Sequence, residues 1–495
     1  MRSIRVDVGN SLGPRDQAWR VCVGSGHAYM GLRSDWQQQL ACAHDECGFE
    51  YVRFHGLLCD DMGVYLVDAQ GNVSYNWQRV DKLYDAILAA GVRPFVELGF
   101  MPYALASGGK TVFWWKANVT PPAEMDRWEE MIRLLVEHFT DRYGREEVAR
   151  WYFEVWNEPD HPAFFSAGRD EYFAMYAAAA RAVKGVCDAY RVGGPSTASA
   201  VWIPELIDFC EDGGHGLDFI TYHAYGLTDG HFDEFGIEPV ILDSDPESIL
   251  KTFRRIKGEV AASRRPDLPI HVTEWSASYS SRDPIHDHYI MAPFILHKLR
   301  RMEGLAESMS YWTFSDVFEE MGPPPTALHG GFGLLNAQGL AKPSFHAYRL
   351  LNMLGDEQLA CDYGDALAAR DERGVQVLLW DYTYLPQDVP NKLFFTRDTP
   401  TQAGEETRVA VAGLAAGEYD LATWKVGYRV NDVYAAWWDM SEPNSPTEAQ
   451  LAELSAACAG SPVEKRTVRV GDDGKVEIPV ELRRNDVALL MLTAR

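Results

Sequence analysis

Residues 93–156 hold the stretch on which the fold turns: Arg93-Pro-Phe-Val-Glu-Leu98, a helical pattern from Met125 to Tyr143, then Trp151-Tyr-Phe-Glu-Val-Trp156. Two short apolar β-type runs flank a segment in which Met131, Leu134, Leu135, His138 and Phe139 recur at three and four, the spacing of one helix face. A strand, a helix and a strand of this kind make one parallel unit. Working outward, the same unit repeats. Further β-type runs lie at Arg20–Val23, Tyr51–His55, Arg191–Gly193, Phe219–His223, Ile270–Thr273 and Ser308–Phe314. Helical patterns at Trp77–Ala90, Arg169–Tyr190, Pro246–Ser263 and Tyr289–Glu303 fall between them. Eight successive strand–helix units imply a closed (β/α)8 TIM barrel. An open doubly wound sheet competes, but its dinucleotide fingerprint is missing, because Gly24-Ser-Gly26 has no third glycine in place.

Past about Leu354 the texture changes. Val375–Tyr384, Glu406–Val411, Tyr419–Val430, Val433–Trp438, Lys475–Leu482 and Asp486–Thr493 are short, often alternating runs broken by Glu372-Arg-Gly374 and Gly471-Asp-Asp-Gly474. They read as an antiparallel β-sandwich. The expected division is a catalytic barrel over 1–346 and a β-sandwich accessory domain over 347–495, with alternating residues 3–9 pairing with the second domain. Residues 440–462 read as an insertion made of a loop and a helix.

The bulk properties exclude several functions. A formal net charge of −26 without any Lys/Arg cluster opposes binding to nucleic acid and suits a neutral substrate. No apolar run has the length of a membrane span or of a signal peptide. The eight cysteines are dispersed, and Cys42 and Cys47 lack paired zinc-site spacing, so free thiols in a cytoplasmic protein are expected. His286-Asp-His288 reads as polar helix entry rather than a metal site, and Gly9-Asn-Ser-Leu-Gly13 as a turn rather than a nucleophile elbow. Oligomeric state stays open, a homo-oligomer included.

In a barrel of this type chemistry sits where the strands end. The second strand ends in Arg53-Phe-His55, the fourth in Trp156-Asn-Glu-Pro159, the sixth in Tyr222-His-Ala-Tyr225 and the seventh in Thr273-Glu-Trp275. The eighth ends in Tyr311-Trp-Thr-Phe314, followed by Asp316 and the pair Glu319-Glu320. Glu158 and Glu274 on opposed strands are the minimum apparatus for glycosidic cleavage: one protonates the leaving oxygen and the other attacks the anomeric carbon. Mutual repulsion would raise the pKa of the acid, and Asn157 would hold the sugar 2-hydroxyl. No cofactor and no metal are needed.

These motifs, with His329-Gly-Gly-Phe-Gly333, resemble glycoside hydrolase family 39, whose main activities are β-xylosidase and α-L-iduronidase; Tyr311–Glu320 leans toward the bacterial xylosidases. The resemblance implies Glu158 as acid/base and Glu274 as nucleophile. It places Asn157, His55, His223 and Tyr225 around the non-reducing sugar, Trp312 beneath it, Glu320 on its hydroxyls and Phe113 against its ring. From the residues alone, Glu319 and Glu320 are equal candidates to face the sugar. The expected activity is a retaining exo-β-xylosidase acting on a neutral oligosaccharide. An α-L-iduronidase, an α-L-arabinosidase and a carbohydrate-binding barrel without chemistry are the alternatives.

Overall fold

The computed structural model describes residues 2–228 and 240–495. Eight parallel strands close a barrel in sequence order: β1 (Cys22–His27), β2 (Tyr51–His55), β3 (Arg93–Leu98), β4 (Tyr152–Val155), β5 (Arg191–Thr197), β6 (Phe219–Tyr225), β7 (Ile270–Ser276) and β8 (Ser308–Tyr311). Helices including Met125–Tyr143, Met291–Met302 and Pro343–Asn352 surround them. Met125–Tyr143 buries Trp128, Met131, Ile132, Leu135, Val136 and Phe139, and ends at Gly144 with φ 85°. Its inward stripe is therefore rotated from the expected one, leaving Leu134 and His138 half-buried. His138 instead stacks on Trp77 at 5.0 Å and bonds Asp81 Oδ1 at 2.5 Å, a use for a polar ring that the core has no partner for.

The glycines of Gly24-Ser-Gly26 lie within β1. A Cβ on Gly24 would come within 2.5 Å of the Trp312 ring, and one on Gly26 within 2.4 Å of Phe318. Their bareness lets the segment after β8 lie close over β1, which seats Trp312 at the barrel mouth.

Beyond the barrel, nine strands form one mostly antiparallel sheet. The N-terminal strand Arg2–Pro14 lies inside it, antiparallel to Glu357–Cys361 and parallel to Thr407–Ala412 in the register Ile4↔Val409 and Val6↔Val411. The sheet curls until its edge strands Glu464–Val470 and Lys475–Val480 meet. That closes it over a core containing Ile4, Val6, Val377, Leu379, Leu421 and Leu490. Its opposite face, with Leu378, Trp380 and Leu489, joins the barrel core.

Two expectations are corrected. Gly9–Gly13 is no turn: it belongs to the N-terminal strand, whose register shifts there absorb the irregular residues. Val433–Trp438 is a helix, Val433–Asp439, because the Asp432 side chain accepts from Ala435 N and caps it. Residues 440–462 contain the helix Glu448–Ala457, started by a Thr447/Gln450 capping box. All eight cysteines are unpaired, and no helix among the described residues is long and apolar enough to cross a membrane.

Candidate active site

Side chains alternate along each barrel strand, so residues two apart stack into layers inside it. The lowest layer is apolar and aromatic, with Cys22, Phe95 and Phe219 packed against Tyr51 and Tyr152. One step up comes a charged layer. Arg53, fully buried, donates Nε to Glu154 Oε2 at 2.5 Å and lies 3.0 Å from Glu97 Oε2. It also donates to Glu274 Oε1 at 2.8 Å, Asn157 Oδ1 at 2.9 Å and Ser196 Oγ at 3.2 Å. The third layer, at the carboxyl ends of the strands, carries Glu158, Glu274, His55, His223 and Tyr225.

The two carboxylates share a neighbour. His223 Nδ1 is 2.8 Å from Glu158 Oε1 and 3.4 Å from Glu274 Oε2. Each of the three residues brings one such atom within 4.8 Å of the others. That is the close spacing of a retaining pair, not the ~6.5–9.5 Å that leaves room for a water between the groups. Their surroundings differ. Glu274 is held by the Arg53 guanidinium at Oε1 and by the Tyr225 hydroxyl, which donates to Oε2 at 2.6 Å. Burial, reinforced by the charge of Asp160, pushes Glu158 up to about 8. The expectation that Glu274 itself raises Glu158 is thus corrected: desolvation is the main cause, followed by the charge of Asp160. Local backbone geometry orients Glu158. β4 stops at Val155, Trp156 and Glu158 have φ of 72° and 46°, and Glu158 N donates to Ser196 O at 2.9 Å.

Around the pair stand the other residues singled out by sequence. His55 shares a 2.6 Å bond between Nδ1 and Glu97 Oε2 and turns Nε2 toward Glu274 Oε1, 3.5 Å away. Burial pushes its pKa down to about 3, so it is neutral. Trp312 is 4.7 Å from the His55 ring and lies in an aromatic cluster with Phe318 and Phe332. Phe113 stacks on the other side of His55 at 6.0 Å. The adjacent glutamates point different ways. Glu319 faces Arg33 at 3.5 Å, whereas Glu320 faces the site, 3.9 Å from His55 Nε2. Burial, reinforced by the charge of Glu274, holds Glu320 well above the usual carboxylate range. Asn157, with Oδ1 on Arg53, has its amide N–H2 directed away from that guanidinium.

A model of the family "Glycosyl hydrolases family 39" matches residues 2–477. The chain belongs to that family. The family 39 enzyme is 35% identical over 488 residues to a β-xylosidase of Geobacillus stearothermophilus, covering 95% of this chain and 92% of that protein. It is 37% identical over 487 residues to a β-xylosidase of Caldicellulosiruptor saccharolyticus, covering 97% and 95% respectively. Among solved structures it superposes on a monomeric β-xylosidase from Caulobacter crescentus CB15 with a TM-score of 0.95 at 40% identity, over all of both chains.

In this family 39 enzyme His286-Asp-His288 is a buried clamp rather than a polar helix entry. His286 bonds Gly330 O and Ser278 O, and Asp287 accepts from Gly330 N at 2.6 Å. Lys342, fully buried, bridges Asp287 and Asp316, each at 2.6 Å, and donates to Gly331 O. Asp316 in turn accepts from Gly333 N. The clamp ties the loop 329–333 to the segment that carries Trp312 and Glu320. Glu158, His223 and Glu274 have donor types that could also hold a divalent ion.

Proposed function

We propose that the enzyme is a retaining, exo-acting β-D-xylosidase that releases xylose from the non-reducing end of xylo-oligosaccharides. The observation that carries the mechanism is the asymmetry of a close carboxylate pair: Glu158 stays protonated near neutral pH beside a Glu274 tied to Arg53 and Tyr225. Glu274 attacks the anomeric carbon while the glycosidic oxygen takes the Glu158 proton, and the shortened sugar leaves. The xylosyl ester on Glu274 is then opened by water, whose proton returns to Glu158, giving xylose with its configuration retained. In this reading Asn157, His55, Trp312, Phe113 and Glu320 hold the sugar, and residues 347–495, whose eight strands take in the N-terminal strand Arg2–Pro14 as a ninth, form an accessory domain bracing the barrel of 1–346. Eight unpaired thiols fit a reducing compartment, and we place the enzyme in the cytoplasm.

The substrate follows from the two xylosidase relatives and from the charge of the site. Glu158, Glu274 and Glu320 surround the sugar position, and the guanidinium beneath them, Arg53, is buried and engaged by several acceptors. A uronic acid would meet carboxyl groups without a free cation, which disfavours the α-L-iduronidase reading. 4-Nitrophenyl β-D-xyloside should be hydrolysed fastest in a panel that includes the β-D-glucoside, the α-L-arabinopyranoside and an α-L-iduronide. Preferential release from the iduronide would overturn the substrate assignment, and sugar binding without release from any of them would favour a binding protein.

The acid also makes a prediction about pH. A carboxyl raised to about 8 is in its acid form below that value, so kcat/KM should hold through neutral pH and fall as pH rises through about 8. Glu158→Gln should remove that limb along with most of the activity on 4-nitrophenyl β-D-xyloside. A limb that persists in the variant would assign it to another group.

A further inference from the structure

Ser196 belongs to none of the motifs that mark the site, yet it is fully buried beneath the acid at the end of β5. Its Oγ has two polar neighbours: Arg53 Nη2 at 3.2 Å and His223 Nε2 at 3.1 Å. A guanidinium can only donate, so Arg53 takes a lone pair of the hydroxyl. The hydroxyl proton then has one acceptor among the described residues, His223 Nε2. A buried hydroxyl that failed to use it would be left unsatisfied. The neutral imidazole therefore carries its own proton on Nδ1, facing Glu158 Oε1 at 2.8 Å.

We propose that Ser196 is a positioning residue that fixes the tautomer of His223 and thereby places the acid proton of Glu158 on Oε2, the oxygen turned to the leaving group. This rests on Glu158 being the acid. With His223 donating to Oε1, that oxygen is an acceptor, and the carboxyl proton goes to Oε2, which receives no hydrogen bond from the described residues. In the opposite tautomer Nδ1 would be the acceptor. The Glu158 proton would then turn to Oε1 and point into the protein, where no substrate can take it. The chain Arg53–Ser196–His223–Glu158 thus converts the one permanent cation of the site into the direction of a proton.

The test uses leaving groups. A misplaced acid proton matters when the departing oxygen needs it and hardly matters for a phenolate that leaves unaided. Since kcat/KM covers the steps through aglycone departure, deglycosylation does not enter. For Ser196→Ala, kcat/KM should fall by about 10-fold or more on phenyl β-D-xyloside and xylobiose, within the contribution of general acid catalysis. It should change less than about 2-fold on the 2,4-dinitrophenyl glycoside. An equal loss on all aglycones or no loss on any would overturn the proposal. Glu158→Ala run on the same series separates the two readings. A steep leaving-group dependence there with a flat one in Ser196→Ala removes the role of Ser196 alone, whereas a flat series in Glu158→Ala removes the acid assignment itself.

Discussion

Glu274→Ala should lower kcat on 4-nitrophenyl β-D-xyloside by roughly 10⁴- to 10⁶-fold, the range seen when a covalent nucleophile is deleted from an otherwise intact site. The size follows from what the side chain does here. Its two oxygens are oriented by Arg53 at 2.8 Å and Tyr225 at 2.6 Å, whereas Glu158 is held by His223 and Glu320 lies toward His55. The variant should still fold, because Arg53 keeps Glu97 and Glu154 as partners. It leaves a gap on the face of the sugar opposite the acid, and a small anion such as azide can attack from that gap. Azide should therefore restore turnover of activated xylosides and give the α-xylosyl azide, one inversion replacing two. In Glu158→Ala the same anion would act on the glycosyl ester and give the β-azide. Identifying the product anomer by NMR assigns the two carboxylates independently of rates. A β-azide from Glu274→Ala would exchange their roles.

The barrel was legible because its signal is local. Eight apolar runs separated by helical patterns need no knowledge of what lies across the fold, and each of those runs contributes a barrel strand. Where local signals mislead, the cause can be named. Val433–Trp438 is an unbroken apolar and aromatic run, equally compatible with a strand or a buried helix. The Asp432 cap and the packing of Val433, Tyr434 and Trp437 against Leu328 and Leu340 decide for helix. Glu464–Val470 escaped notice because it is a charged, mostly exposed edge strand, and Ala366–Asp371 because its alanines carry little pattern. The altered stripe of Met125–Tyr143 has the same origin, since which of two adjacent faces turns inward depends on what the sheet offers it.

At the site, the strand-end residues could be read from sequence because the architecture puts chemistry where strands stop. What lies one layer lower could not. Arg53, Glu97, Glu154 and Ser196 come from four strands separated by long stretches of chain, and each on its own is a polar residue in or beside an apolar run. The usable clue was the charge itself: a glutamate inside Arg93–Leu98 and another inside Tyr152–Val155 have no solvent and require a cationic partner. Burial, more than any neighbouring charge, likewise sets the high pKa of Glu158. Glu319 and Glu320 are separated only by geometry, with Arg33 drawing one outward.

Arg53→Met should be the most destabilising single change in the barrel. Removing the cation strands Glu97 and Glu154, both fully buried, and loosens Glu274, Asn157 and Ser196 at once. Breaking a buried ion pair from one side costs about 3–5 kcal/mol, because the remaining charge is left without water or partner. The carboxylates can relieve part of this by taking up protons. Glu97 already lies near 7, with Arg53 the influence that keeps it from going higher. Without Arg53 the folded-state pKa of Glu97 rises further above that of the unfolded chain, so the folded protein binds more protons and its stability falls as pH rises. Denaturant unfolding should therefore show the full deficit at pH 8 and a smaller one at pH 5, where the buried carboxyls are protonated at little cost. Arg53→Lys should recover little, since a single ammonium cannot reach acceptors on β3, β4, β5 and β7 in the fork geometry that the guanidinium spans. Activity should fall along with stability, because the Ser196–His223 relay and the orientation of Glu274 both begin at this residue. Wild-type stability at both pH values together with wild-type activity in Arg53→Met would mean that the charged layer contributes to neither.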